Sequence, residues 1–144
     1  MRRSVTDRVE IGGSPSQLVL SLGRSAKDNE RQLEANLRSG MLNAKRVVHE
    51  VAGAGKRGDF AALSKAFQSL ADDWAGRSRD ELWTSADQDL ALSVDSDALG
   101  HISLVVELSE PIADGWRAQA TVPLEPSDLP RVSAQLRSLL ETQG

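Results

Sequence analysis

The sequence predicts an α+β fold: one antiparallel sheet of about six or seven strands with two helices packed on one face, in the order β-β-β-β-α-β-β-β-α. Three observations carry this. Apolar and polar residues alternate with period two along most of the chain, two stretches instead repeat apolar residues at spacings of three and four, and Gly and Pro divide the chain into short segments. Strands with one apolar face and helices with one apolar stripe hide those surfaces against each other, so a sheet covered on one side follows. At 144 residues the expectation is a single domain, 1–144. A chain this long buries roughly two thirds of the surface its unfolded form exposes, enough for a core without staples.

The first strand runs from Val5 to Ile11, where Val9 and Ile11 alternate with Arg8 and Glu10, and stops at Gly12-Gly13. The second carries Leu18, Leu20 and Leu22 on one side. From Asn29 to Val51 two patterns compete. Leu33, Ala35 and Leu37 alternate with polar neighbours, whereas Leu33, Leu37, Met41, Ala44, Val48 and Val51 also fit one long helix. Ser39-Gly40 suits a turn, and the β-branched pair Val47-Val48 suits a strand, so a hairpin is preferred over the helix.

Asp59 opens a helix whose stripe is Phe60, Leu63, Phe67, Leu70 and Trp74, with Gly76 past its end. Ser78 and Glu81 have capping-box spacing, which predicts a short helical turn carrying Leu82 and Trp83. Three strands follow, with Leu90, Leu92 and Val94 in the first, Ile102, Leu104, Val106 and Leu108 in the second, and Trp116, Ala118, Ala120, Val122 and Leu124 in the third. A last helix, from about Asp128 to Thr142, is capped by Ser127 and holds Leu129, Val132, Leu136, Leu139 and Leu140 on one stripe. Pro130 falls in its first turn, where a missing N–H does no harm.

Composition excludes several chemistries. No cysteine is present, so disulfides and thiolate metal sites are ruled out, and the expected compartment is the cytoplasm. Apolar runs are only a few residues long, which predicts no membrane association. A net charge of −4 disfavours nucleic acid, although Arg2, Arg3, Lys45, Arg46, Lys56 and Arg57 would be its contacts. Gly53 to Gly58 is Gly-rich before a helix, yet Glu50 and Arg57 stand where a phosphate-binding loop needs Gly and Ser or Thr. Asp95-Ser96-Asp97 begins like a calcium loop, but Leu99 and Val106 occupy later ligand positions. With two histidines and no cysteine, neither a metal nor a cofactor is expected. Asp72 and Asp73 are neighbours on a helix and diverge by about 100°, so they do not form an acid–base pair.

His101 follows Gly100 at a strand start, with Asp95, Asp97 and Glu107 close in sequence. A carboxylate-oriented imidazole can act as a base or a ligand contact, while its ordinary role is a histidine hydrogen-bonded within a turn. Trp74 and Trp116 fall in apolar registers and are expected in the core, whereas Trp83 is expected to reach toward the surface. Ala91, Ser93, Ser103, Val105, Glu107, Arg117, Gln119 and Thr121 should form the open side of the sheet, small or polar with one exposed Val105.

The run from Leu70 to Leu140 carries further landmarks: Leu70-Ala71-Asp72-Asp73-Trp74-Ala75-Gly76, Trp83, Leu99-Gly100-His101-Ile102-Ser103-Leu104, Trp116 and the closing Leu-rich helix. Together they resemble a family of small actinobacterial domains of unknown function. The resemblance covers about half the chain and favours the hairpin between Asn29 and Val51. It implies a fold rather than an activity, and brings no functional residues with it.

The sequence therefore assigns no catalytic residue. It favours a non-catalytic cytoplasmic interaction protein whose open sheet face meets a protein partner or a second copy, with His101, Trp83, Arg117, Gln119, Ser103 and Val105 as binding candidates. The alternative is a small-molecule binding protein or enzyme with a pocket near His101.

Overall fold

The computed structural model describes residues 8–24, 31–51 and 55–141. Val5, Asn29, Gly53-Ala54 and Thr142, and the candidate nucleic-acid contacts Arg2 and Arg3, lie outside them. The first half consists of β1 (Arg8–Gly12), β2 (Ser16–Arg24), β3 (Arg31–Ser39), β4 (Leu42–His49) and α1 (Phe60–Asp72). The second consists of β5 (Asp80–Thr84), β6 (Leu90–Ser96), β7 (Ile102–Ser109), β8 (Arg117–Leu124) and α2 (Asp128–Glu141). The order ββββα thus occurs twice.

The strands form two antiparallel four-stranded sheets, β1-β2-β3-β4 and β5-β6-β7-β8, rather than the single sheet expected from the sequence. Side chains bridge the boundary. At β4, Arg46 reaches past the strand to Asp89 Oδ2 (3.0 Å) and toward Glu110 Oε2 (4.0 Å), so side chains rather than a backbone ladder span the gap to the second sheet. Asp89 is fully buried, and Ser85 Oγ donates to its Oδ1 at 2.5 Å. The sheets also meet where β8 lies against β1 and β2. Gly12 makes that approach possible, since a Cβ there would fall 2.3 Å from Val122 Cγ1.

The strand Asp80–Thr84 replaces the helical turn expected around Leu82 and Trp83. A bulge between Glu81 and Trp83 shifts the register, so Leu82, Trp83 and Thr84 are buried in succession and the alternation that would reveal a strand is lost. Arg79, at φ 55°, is itself outside the helical region. The 31–49 hairpin is present, with Gly40 at φ 60° in its two-residue turn as a II′ geometry demands.

Both helices were expected on one face of one sheet. Instead they pack on each other and reach different sheets, α2 against β1 and β2 and α1 against β5. One apolar cluster runs through everything, joining Ile11, Leu20 and Leu37 to Phe67, Trp83, Val106 and Leu136. Asp59 caps α1 as expected, its Oδ1 accepting from Ala61 N at 2.9 Å. A polar clamp holds the helices to the first sheet. Arg31 donates to both Glu50 oxygens (2.7 and 2.9 Å) and to Leu140 O at the end of α2 (2.8 Å), and its guanidinium lies 5.4 Å from the Phe60 ring centroid. Glu50 Oε2 in turn accepts from Phe60 N at 3.0 Å, the start of α1. No helix among the described residues is long and apolar enough to cross a membrane.

Candidate functional site

Two features of the second sheet adjoin each other. The first is its outer face. Strand register sets Ala91, Glu107 and Gln119 in one row, Ser93, Val105 and Thr121 in the next, and Asp95, Ser103 and Pro123 in the third. Residues on one strand alternate sides, so these rows are the side turned away from Leu92, Val106 and Leu108. The surface is short in side chain and balanced in charge: Arg117 Nε pairs with Glu107 Oε2 at 3.1 Å, and Arg79 Nε with Asp95 Oδ2 at 3.3 Å. Val105, expected to be exposed, is 8% exposed at the centre of this face.

The second feature is a cleft of about 870 Å³ at one end of that face, between the β6–β7 turn, the end of β8 and the start of α2. Its walls include Trp74, Leu99, His101, Ile102, Glu125 and Pro126. The β6–β7 turn is wound around Asp97. Asp97 Oδ1 accepts from Leu99 N (2.8 Å) and His101 N (3.1 Å), while Oδ2 lies 2.7 Å from His101 Nδ1. These bonds, the His101 ring first among them, hold the Asp97 carboxyl down to about 2. Gly100 closes the turn at φ 101°, a conformation that L side chains rarely adopt, and packs near Pro126. The Gly100-His101 landmark is thus a turn requirement that also fixes the imidazole at the rim of a cleft.

A model for a family of unknown function, DUF6228, matches residues 9–143. The chain belongs to that family. No curated protein matches the sequence. The DUF6228 match spans β1 to the last turn of α2, so it covers both sheets and both helices.

In this DUF6228 member the sequence-derived candidates separate into two groups. Ser103, Val105, Arg117 and Gln119 share the outer face, and His101 stands at its end beside Ser103. Trp83 does not join them. It is fully buried, its ring lies 6.2 Å from Phe60, and its Nε1 donates to Asp59 O at 2.9 Å. The bulge in β5 turns it inward, which reverses the expectation that it reaches the surface. Trp116 is the opposite case. It precedes β8, so it escapes the core expected for it and is 38% exposed. Trp74 packs partly against the core and also forms a cleft wall. Sequence reasoning missed Glu125, Pro126 and Leu99 as cleft residues, because only the fold brings the β8–α2 connection against the β6–β7 turn. Among the described residues no group of three or more metal-ligating side chains gathers.

Proposed function

We propose that this protein is a non-catalytic, cytoplasmic interaction module of one domain, whose partner, another protein or a second copy, covers the outer face of the second sheet. The observation that carries this reading is the register: Ala91, Ser93, Ser103, Val105, Gln119 and Thr121 fall together on one side of three paired strands, with their flanking charges paired internally. Such a surface has few long side chains to immobilise and no uncompensated charge to desolvate, the two terms that most often oppose association. It suits a second flat, mildly polar layer better than a nucleic-acid backbone or a lipid headgroup.

Gln119 and Thr121 are exposed, so arginine at both positions leaves the core intact while raising charge and bulk on the face. Light scattering on the purified chain and affinity capture from native lysate should reveal self-association or a specific partner, and Q119R/T121R should abolish it with unchanged circular dichroism. A strictly monomeric protein that captures nothing, or a complex indifferent to the double substitution, would refute the reading.

A further inference from the structure

The cleft beside His101 adjoins the face proposed above, shares Ser103 and Pro123 with it, and has its own chemistry. Its walls contain no lysine or arginine: the ionisable lining residues are His101 and Glu125, and the Asp97 carboxylate stands directly behind the imidazole. An anion has little to gain here. The start of α2 would ordinarily attract one, but Asp128 is already there, its Oδ2 accepting from Glu125 N at 2.9 Å. Ser103 and Ser127 add hydroxyls to the walls, and most of the other lining side chains are apolar. Trp74, Ile102 and Pro126 line the cleft, and Leu99 is 83% exposed at its rim, an apolar surface left open to solvent beside a carboxylate.

A carboxylate, an indole and apolar side chains around one cavity, with no lysine or arginine in its walls, are the elements that recognise ammonium groups on hydrocarbon bodies. We propose that this cleft binds a small organic cation, a primary or quaternary ammonium carried on an apolar body, with Glu125 answering the charge and Trp74, Leu99 and Pro126 holding the body. The Asp97–His101 pair keeps the turn that carries Leu99 in place and leaves the second imidazole nitrogen as a polar contact for the ligand.

Benzyltrimethylammonium tests the proposal, with phenylacetate and benzyl alcohol as anionic and neutral probes of similar shape. Titration of the full chain, followed by NMR, should show saturable binding of the ammonium, roughly tenfold tighter than either comparison probe. The Trp74 indole N–H signal should move, while those of Trp83 and Trp116 stay. Glu125→Gln should weaken the ammonium by roughly fivefold and leave benzyl alcohol unaffected. Leu99→Ser, at an exposed position, should weaken both. Equal binding of the three probes, binding of none, shifts centred on Trp116, or full affinity in Glu125→Gln would each overturn the assignment.

Discussion

Gly12 illustrates how one residue constrains a whole interface. It sits at φ 84° at the end of β1, and a Cβ there would also meet Ser16 O at 2.8 Å, besides the Val122 methyl. Gly12→Ala therefore combines a left-handed backbone with a clash against two strands, and should cost about 2–4 kcal/mol. In urea the midpoint should fall while the slope stays unchanged; an unaltered midpoint would show that the two sheets separate more easily than their packing implies. The sequence flagged Gly12-Gly13 as a strand end and nothing more, because the contact is with a residue 110 positions away. Asp89 was equally silent. It stands just before β6 and is fully buried, where Ser85 and Arg46 satisfy its carboxylate. His101 was legible as a turn residue, since Gly100 and Asp97 are its neighbours in sequence, and that local geometry is what the structure contains.

Elements were legible wherever alternation was unbroken. The three strands carrying Leu92, Val106 and Val122, the hairpin at Gly40 and both helices follow the expected pattern. β5 was lost because its bulge buries three consecutive residues, a pattern that fits neither period. What joins elements is a different matter, and the clamp of Arg31 and Glu50 shows it. Hydrogen bonds from Arg31 and from Phe60 N lower the Glu50 carboxyl below its ordinary 4.5, against the opposing effect of burial. A depressed folded-state value means that this stabilisation is complete above the unfolded value and is lost as pH falls through the folded one. Glu50→Gln should thus be less stable than wild type by about 1–3 kcal/mol at neutral pH, with the difference shrinking below pH ~4. Denaturant melts at several pH values would measure it. A gap independent of pH would mean that shape rather than charge makes the clamp.

For the molecule as a whole, each half lends its helix to shared packing: α2 covers β1 and β2, and α1 meets both β5 and α2. Neither half keeps its apolar residues covered without the other, so the chain should unfold as one cooperative unit. Far-ultraviolet circular dichroism and the fluorescence of buried Trp83 should report coincident transitions; two separated transitions would divide the protein into independent sheets. By itself the sequence determined which residues share one side of an unbroken strand or helix, because alternation and helical spacing are local consequences of backbone geometry. That sufficed to set Ser103, Val105, Arg117 and Gln119 on one side of the sheet, though not to show that Val105 is covered there. Only the tertiary structure decided how many sheets those strands make, which tryptophan is hidden, and that Trp74, Leu99 and Glu125 enclose one cleft. Those outcomes depend on which distant segments come into contact, and periodicity along a chain carries no information about its neighbours in space.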